Sequence, residues 1–412
     1  MNLYLDLEMN LTPEQIALRE TLHKFAELDL RPAARELDEL NDPAEVIAKG
    51  SNLWNVFRRA YELGFHASGL PVEVGGMGLG GLETHILCEE MGWGSADFAI
   101  GIGVAGLPFA AIANSGNPEL IEKYVKPFVE DREARYIGCW AITEPQHGSD
   151  FLYAGTEGFG GPNVHAQVSA KRDGDFYLLK GQKSAWVSNG TIASHALVFL
   201  TLDKPDGASG GGVAFIPLDL PGITRGKPLD KMGQRALNQG EIFFDDVKLP
   251  AELMLIEPEM YEFTLDMVLA MANAGMGAIF TGVARSAFEA ALAYTKVRVQ
   301  GGKPICEHQL VQKTLFDMFR TVEACRALSR NAMIYNQMNL PPQTQYSIAS
   351  KTFCTDAAFE VASRALGLFG GNGLSREYPI EKIFRDARAS LIEDGTNDVL
   401  SLAGARFVID RY

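Results

Sequence analysis

Basic residues are scarce in this chain of 412 residues, which carries 37 Lys and Arg against 52 Asp and Glu, a formal net charge of −15. Nucleic acids and anionic membranes bind proteins through clustered Lys and Arg, so this balance argues against either partner. The five cysteines show no Cys-x-x-Cys or other metal-ligand spacing, so we expect no metal site and interpret them as buried thiols of a cytosolic protein. The N-terminal stretch MNLYLDLEMN has no basic segment of the secretory or transit type, which favours a cytoplasmic location.

The chain also lacks a dinucleotide-binding motif and a convincing membrane span. No Gly-x-Gly-x-x-Gly motif follows a strand pattern, because the glycines of GLGGLETH (78–85) come after none, and this argues against a Rossmann site. Two stretches are long and uncharged, but 98–115 is broken by glycines and Pro108, and 268–284 is dominated by Ala, Gly and Met. We interpret both as helices packed deep in a protein core rather than as membrane spans.

Hydrophobic periodicity changes twice along the chain. Helical spacing begins after LTPEQ, where Thr12 and Gln15 form a predicted capping box, and continues to about Pro127. From about 139 to 253, short aromatic and β-branched runs alternate with Gly, Asp and Pro, which is typical of antiparallel strands in a sandwich or barrel. Long helical patterns return after Pro258. We therefore predict an α+β protein with an N-terminal helical domain, a middle β domain and a C-terminal four-helix bundle, spanning 1–138, 139–253 and 254–412.

Five motifs occur in order along the chain. They are CWAITEPQHGSD (139–150), KGQKSAWVSNG (180–190), MGQRALNQGEIFFDDVKLP (232–250), ALGLFGGNG (365–373) and EDGTN (393–397). In this order and spacing they resemble the acyl-CoA dehydrogenase family, and the resemblance extends over essentially the whole chain. It implies bound FAD, an α–β–α fold, a homotetramer, and removal of a proton and a hydride from an acyl-CoA thioester. It also implies an electron-transfer flavoprotein or similar acceptor, and a place in fatty, alicyclic or aromatic acid degradation.

The resemblance implies cofactor and substrate contacts for individual residues. Thr143 and Ser149 match positions that contact the flavin ring and the cofactor or CoA phosphates, and Ile142 lies beside them. Trp186 and Ser188 match the aromatic ring and the hydroxyl that flank the flavin. The remaining implied FAD contacts are Arg298, which in relatives reaches the pyrophosphate of a neighbouring subunit's FAD, the loop glycines Gly370 and Gly371, Thr396 and Asp398. The implied substrate contacts are Ser149, Asp97, Asn273 and Gly395.

The family's catalytic base is a Glu directly before Gly-Thr, and the residue at that position here is Asp394. The α-proton of a thioester is very weakly acidic, so a carboxylate must act while the developing enolate is stabilised. Burial against acyl chain and flavin should raise the pKa of this carboxylate. Asp is shorter than Glu by roughly one ångström, a displacement that can lower the rate about 10²-fold if nothing compensates. We rank the neighbouring Glu393 lowest as a base, because adjacent side chains are expected to point to different faces.

Three alternatives stay open. Asp97 in GWGSADFAIG is a second candidate base, because some relatives that act on alicyclic ring thioesters use an Asp from the helix lining the acyl cavity. Its other interpretation is an ordinary helix N-cap. Nitroalkane oxidases share this fold and also use Asp as the base, although they need an Arg where this chain has Ser401. The third alternative is a non-catalytic, flavin-free member of the fold.

Three positions depart from the family pattern. Asn273 stands where many relatives have Arg, and an amide cannot supply that positive charge. Gly301 stands where many have Phe, and Gly367 where relatives often carry Gln. With a loop at 151–167 that is longer than usual, Asn273 indicates an altered CoA or acyl entrance. We expect a short, branched or alicyclic acyl group, and both 1,2-elimination to an enoyl-CoA and 1,4-elimination to a conjugated dienoyl-CoA stay open.

Overall fold

The computed structural model describes residues 7–8, 10–152, 159, 161, 163–202 and 210–411. Its N-terminal part is helical, and the predicted capping box is present: the Gln15 N–H donates to Thr12 Oγ1 at 3.2 Å, and the Thr12 N–H donates to Gln15 Oε1 at 2.9 Å. A π-helical turn at Ala26–Leu30 joins the first two helices. The helices of this part are α1 (Pro13–Phe25), α2 (Arg31–Glu39), α3 (Pro43–Val46), α4 (Asn52–Glu62), α5 (Gly81–Gly94), α6 (Ala96–Ala105), α7 (Leu107–Ser115), α8 (Pro118–Leu120) and α9 (Lys126–Glu130).

Two apolar helical segments are long enough to span a membrane by length and composition alone. They are Ala96–Ser115, which comprises α6 and α7, and α10 (Pro258–Val297). Most of each apolar window is buried inside the protein, 61% of the first and 72% of the second. The small residues of α10 allow this close packing: a Cβ on Gly282 would lie 2.0 Å from the carbonyl oxygen of Glu89 in α5. Both segments are therefore helices of the protein core.

The middle part of the chain forms one sheet. Its strands are β1 (Gly138–Ala141), β2 (Ser169–Asp173), β3 (Phe176–Lys183), β4 (His195–Leu202), β5 (Gly211–Pro217), β6 (Ile223–Arg225), β7 (Ile242–Pro250) and β8 (Met254–Ile256). The spatial order is β6-β7-β3-β2-β4-β5-β8, and β1 also pairs with β4. Most neighbours are antiparallel, as predicted, but β4 pairs in parallel with β1 and β2. The parallel pairing of β1 is possible because a long connection separates it from β4, as a crossover requires.

Helices return after the sheet. They are α10, α11 (Gln309–Met338), α12 (Thr344–Phe369), α13 (Ile380–Ala389) and α14 (Asn397–Arg411), with a short ribbon of β9 (Val299–Gln300) and β10 (Lys303–Pro304) before α11. Helices α10, α11 and α12 pack on one another, α5 packs on α10 and α11, and α14 packs on α12. The helix–sheet–helix order confirms the predicted fold class. The domain boundaries after residues 138 and 253 stay predictions.

A group of buried charges ties α5 to α10 and α11. Arg285 Nη1 lies 2.8 Å from Glu89 Oε1, and Arg285 Nη2 lies 2.6 Å from Glu90 Oε2. Arg326 Nη2 lies 2.9 Å from Glu89 Oε1. Burial alone would raise the pKa of both carboxyls, but the guanidinium groups lower the pKa of each below its ordinary value. We call this group the α5 ion cluster (Glu89, Glu90, Arg285 and Arg326).

Candidate functional site

Several of the predicted site residues meet at a cavity of about 500 Å³. The cavity lies between helix α6, the loops after β1 and β3, and the turn after α13. Its wall contains Ile142, Thr143, Ser149, Trp186, Ser188, Asp394 and Gly395. A larger cavity of about 610 Å³ between α2, α5, α10 and α13 contains none of the predicted site residues, all of which the structure describes. The smaller cavity is therefore the candidate site.

A buried ion pair positions the segment that carries Thr143. Lys183, the last residue of β3, donates from Nζ to Glu144 Oε1 at 2.6 Å and to the Ile142 carbonyl at 3.0 Å. The Ser184 N–H donates to the Thr143 carbonyl at 3.0 Å. These bonds fix the backbone that follows β1 against the end of β3. The Thr143 side chain is consequently held at the cavity wall.

Trp186 and Ser188 lie on the loop after β3, where Gln239 holds both. Gln239 Nε2 donates to the Trp186 carbonyl at 3.2 Å and to Ser188 Oγ at 3.3 Å. The Trp186 side chain is nevertheless 59% exposed, which is a high value for an indole. Its flat apolar surface at the cavity is therefore available to cover an aromatic ligand.

Two hydrogen-bond donors of the cavity wall have no partner. Trp140 Nε1 and Arg388 Nη1 are buried and make no hydrogen bond within the part of the chain that the structure describes. Buried donors are normally paired, so these two offer hydrogen bonds to acceptor atoms of a ligand. Together with the Trp186 ring and the hydroxyls of Thr143 and Ser149, they fit an aromatic cofactor with carbonyl and phosphate groups, as FAD has.

The turn between α13 and α14 presents Asp394 to the cavity. Asp394 has a φ of 53° and Gly395 a φ of 94°, a left-handed conformation that Asp tolerates and Gly favours. Lys351 of α12 donates from Nζ to the Gly395 carbonyl at 2.8 Å and to Asn397 Oδ1 at 2.7 Å, which fixes the turn. Burial raises the pKa of Asp394, and the positive charge of Lys351 acts in the opposite direction. Burial in turn lowers the pKa of Lys351 to about 8.

Glu393, which we ranked lowest as a base, also lines this cavity. Gln234 Nε2 donates to Glu393 Oε1 at 2.6 Å. Burial raises the pKa of Glu393 to about 7, although the Gln234 bond opposes the increase, and the neighbouring Asp394 adds to it. Side chains alternate along an extended chain, but Asp394 has left-handed backbone geometry, to which that rule does not apply. The signal that sequence reasoning undervalued was the acidic doublet itself.

Asp97, the second candidate base, lies outside the cavity wall. It is completely buried, and Lys382 Nζ lies 3.2 Å from its Oδ2. The Ala236 N–H donates to the same oxygen at 3.2 Å. The Ser95 hydroxyl and the Phe98 N–H donate to Oδ1. Burial alone would raise the pKa of Asp97, but Lys382 and these hydrogen bonds lower it. A carboxylate stabilised in this way is a weak base, so the geometry favours Asp394.

Three other predicted residues lie beside or away from the cavity wall. The Thr396 N–H donates to the wall residue Ser149 at Oγ, 3.0 Å away, so the C-terminal helices meet the loop after β1 here. Asp398 is exposed in the first turn of α14. Asn273 is completely buried in α10, where its Nδ2 donates to a backbone carbonyl one turn earlier at 2.8 Å. Part of the long loop at 151–167, namely 153–158, 160 and 162, lies outside the described residues.

Arg298, Gly370 and Gly371 are exposed where α10 and α12 end. Tyr294 of α10 stacks on Phe369 of α12 with ring centroids 4.0 Å apart, which brings the two helix ends together. Gly370 has a φ of 61°, a conformation suited to glycine. These residues do not line the candidate cavity. Their expected contact with the FAD of a neighbouring subunit stays a prediction.

The comparisons with known proteins agree on one family. Residues 12–132, 139–247 and 264–409 match the N-terminal, middle and C-terminal domains of acyl-CoA dehydrogenase, respectively. The mitochondrial short-chain specific acyl-CoA dehydrogenase of Rattus norvegicus is 31% identical over 396 residues, which are 96% of this chain and 90% of that protein. Cyclohexane-1-carbonyl-CoA dehydrogenase of Geobacter metallireducens is 30% identical over 406 residues, 97% of this chain and 98% of that one. The structure of butyryl-CoA dehydrogenase from Megasphaera elsdenii superposes with a TM-score of 0.84 at 31% identity, covering 98% of this chain and 100% of the other.

Proposed function

The chain belongs to the acyl-CoA dehydrogenase family of FAD-dependent oxidoreductases, and we propose that it oxidises an acyl-CoA to an enoyl-CoA with Asp394 as the catalytic base. The observation that carries this proposal is the position of Asp394, which lines the candidate cavity together with Trp186. Its carboxylate has a raised pKa because it is buried. A carboxylate with a raised pKa is a stronger acceptor for the weakly acidic α-proton.

In this proposal the chain positions the reactants and moves one proton. The wall residues that would hold FAD are Thr143, Ser149, Trp186 and Ser188. Bound FAD supplies the acceptor for the hydride that leaves the β-carbon. Asp394 takes the α-proton on a carboxylate oxygen. Lys351 keeps the Asp394 turn in place through its bond to the Gly395 carbonyl, so the short carboxylate does not have to find its position during the reaction.

The acyl group that we propose is short, branched or alicyclic. Asp394 reaches less far into the cavity than Glu would, so its substrate must bring the α-carbon closer to the turn. Apolar side chains line much of the rest of the wall, among them Ile100, Val104 and Leu152. The names of two relatives refer to acyl groups of this kind: one is a short-chain specific acyl-CoA dehydrogenase, and the other is a cyclohexane-1-carbonyl-CoA dehydrogenase. The product is an enoyl-CoA if elimination is 1,2 and a conjugated dienoyl-CoA if elimination is 1,4.

A nitroalkane-oxidase-like reaction is the second candidate, and the chain supports it less well. The expected Arg is replaced by Ser401, whose hydroxyl donates to the Asn397 carbonyl at 2.7 Å. A neutral hydroxyl already bonded to its own helix is a poor group for holding a nitro anion. A non-catalytic role is disfavoured because the raised-pKa carboxylate, the exposed Trp186 and two unpaired donors remain at one cavity. An electron-transfer flavoprotein as acceptor, a homotetramer and a cytoplasmic location complete the proposal.

Anaerobic flavin bleaching by a panel of acyl-CoAs tests the proposed function. Purified protein should be yellow, and straight, branched or cyclohexane-ring acyl-CoAs should bleach it. Asp394→Asn should slow the bleaching by roughly 10²- to 10⁴-fold, the usual contribution of a positioned base. Oxygen uptake with nitroalkanes but no bleaching by any acyl-CoA would select the oxidase reaction instead.

Two further variants make this experiment specific. Asp246 is a matched control, because it also has a left-handed backbone, with a φ of 51°, but its side chain is 55% exposed on the sheet. Asp246→Asn should bleach at the wild-type rate. Asp97→Asn tests the alternative base. If Asp97→Asn loses bleaching while Asp394→Asn keeps it, the base is assigned to the wrong residue.

A further inference from the structure

Glu393 has a carboxylate oxygen that the protein leaves open to the candidate cavity. Its Oε1 accepts the hydrogen bond from Gln234 Nε2 at 2.6 Å, whereas Oε2 accepts none from the residues that the structure describes. Glu393 lies in the cavity wall and is not packed away from it. An unpaired carboxylate oxygen at a cavity normally receives a partner from a ligand or a bound water.

The side chain of Glu393 is held in this orientation by its neighbours. Gln234 is buried, and its Nε2 also donates to the Asp386 carbonyl at 3.3 Å, so the amide cannot turn freely. The Gln234 N–H donates to Asp386 Oδ1, which fixes the backbone as well. The open oxygen of Glu393 is therefore a built feature of the wall rather than the end of a mobile side chain.

This oxygen lies close to the place where the reaction occurs. Glu393 and Asp394 are adjacent, so their Cα atoms are about 3.8 Å apart, and both residues line the same cavity. If Asp394 contacts the α-carbon, Glu393 is within reach of the acyl carbons that follow. The wall also contains apolar residues that could contact an acyl chain, among them Ile100 and Val104 from α6. Glu393 therefore adds a carboxylate to a wall that is apolar in part.

We propose that Glu393 determines substrate specificity by binding a hydroxyl group on the γ- or δ-carbon of the acyl chain. The γ- and δ-carbons are chosen because the α- and β-carbons carry the hydrogens that leave. A hydroxyl can donate to an ionised Glu393 and accept from a neutral one, so it pairs with either form of the acid. A methyl group in the same place would cover Oε2 without satisfying it, and such unpaired burial is unfavourable. This inference rests on the proposed function, because it concerns the substrate of the same site.

Matched acyl-CoA pairs that differ by one hydroxyl test the inference. In 4-hydroxybutyryl-CoA and pentanoyl-CoA the terminal group is a hydroxyl or a methyl of similar size, and 5-hydroxypentanoyl-CoA and hexanoyl-CoA form the second pair. For at least one pair, the wild-type enzyme should favour the hydroxylated member by roughly 10- to 100-fold in kcat/KM, the discrimination expected of a buried hydrogen-bonding group. Calorimetric binding of redox-inert thioether analogues should show the same preference in Kd.

Two substitutions at the same position separate hydrogen bonding from shape. Glu393→Leu should abolish or reverse the preference, mainly by improving kcat/KM for the methyl-ended member. Glu393→Gln keeps a hydrogen-bonding group and should retain most of the preference. Flavin absorbance of each variant verifies that the folded, loaded enzyme is compared. An equal ratio in wild type and Glu393→Leu overturns this inference alone. A flavin that no acyl-CoA bleaches overturns the proposed function and the inference together.

Discussion

Two acidic doublets of this protein, Glu89–Glu90 and Glu393–Asp394, have opposite surroundings. Glu89 and Glu90 of the α5 ion cluster are paired with Arg285 and Arg326, which lower the pKa of both carboxyls despite burial. Glu393 and Asp394 have no guanidinium partner among the described residues, and burial raises the pKa of both. Burial acts in the same direction at the two places. The pKa values shift in opposite directions because, within the described part of the chain, only the first doublet has guanidinium groups paired with it.

The difference separates a structural role from a chemical one. A fully paired carboxylate is a weak proton acceptor, and breaking such a pair destabilises the fold. An uncompensated carboxylate in a cavity lowers the stability of the fold but is a stronger base. Asp97 resembles the first doublet, because Lys382 and three hydrogen bonds stabilise its charge. These buried acids can therefore be sorted by their partners, and the 393–394 doublet fits our proposal of proton transfer better than Asp97 does.

The largest effect on stability is expected from breaking the α5 ion cluster. Arg285→Met leaves Glu89 and Glu90 with too little positive charge, and the free energy of unfolding should fall by about 3–5 kcal/mol. Urea unfolding measures this change. The exposed Arg59, which pairs with Glu62 at 2.9 Å, provides the control, and Arg59→Met should cost less than about 1 kcal/mol. Equal losses in both variants would mean that burial does not distinguish the two pairs.

The effect of pH on stability should have the opposite sign at the second doublet, Glu393–Asp394, from the sign at the α5 ion cluster. The pKa of Glu393 rises from an ordinary 4.5 to about 7 in the folded protein, so the unfolded chain releases this proton first as pH rises. Glu393 therefore lowers the free energy of unfolding progressively as pH rises from 4.5 to 7. The total loss is up to about 3 kcal/mol, since one pKa unit corresponds to about 1.36 kcal/mol. Glu393→Gln should remove the penalty and unfold at higher urea than wild type at pH 8, with little difference at pH 4.5.

The matched control for this prediction is Glu62→Gln, an exposed acid of α4. Its effect on stability should be small, because its ion pair is exposed to water. The α5 ion cluster gives the opposite sign, because the pKa values of its acids are lowered and its stabilisation is lost as pH falls. If Glu393→Gln is no more stable than wild type at pH 8, the carboxylate is already compensated and the contrast between the doublets is wrong.

A smaller effect is expected from Lys351, whose positive charge acts on Asp394. Lys351→Met should raise the pKa of Asp394 further, so the rising limb of the flavin-reduction rate against pH moves to higher pH. On the rising limb itself, a shift of one pKa unit corresponds to a rate roughly tenfold lower at the same pH, and the rate should recover as pH increases. Lys313→Met on the exposed side of α11 is the control and should leave the profile unchanged. A uniform loss at every pH would indicate a misplaced turn rather than a changed pKa.

The sequence predicted the parts of the fold that depend on local pattern. Helical and strand periodicity gave the helix–sheet–helix order, and the capping box at Thr12 formed as expected. The parallel pairing of β1 with β4 was not predicted, because it depends on chain segments more than 50 residues apart. Hydrophobic periodicity does not indicate which distant segments will pair.

Site residues that belong to a family motif could be predicted from the sequence. Interactions with residues far away in the sequence could not. The family motifs named Thr143, Ser149, Trp186, Ser188 and Asp394, and these residues line one cavity. The Lys382 partner of Asp97 is 285 positions away, so its neutralising effect on that acid could not be read from the sequence. The place of Glu393 in the wall depends on the left-handed turn at Asp394, which the sequence does not specify.

Exchange of the substrate α-proton with solvent deuterium tests the central claim most directly, because it reports proton removal separately from hydride transfer. The enzyme is incubated anaerobically in D₂O with an acyl-CoA that binds, and deuterium at the α-carbon is measured by mass spectrometry. We expect rapid incorporation by the wild type and by Asp97→Asn, and incorporation slowed at least about 10²-fold by Asp394→Asn. Wild-type incorporation by Asp394→Asn would show that Asp394 is not the base.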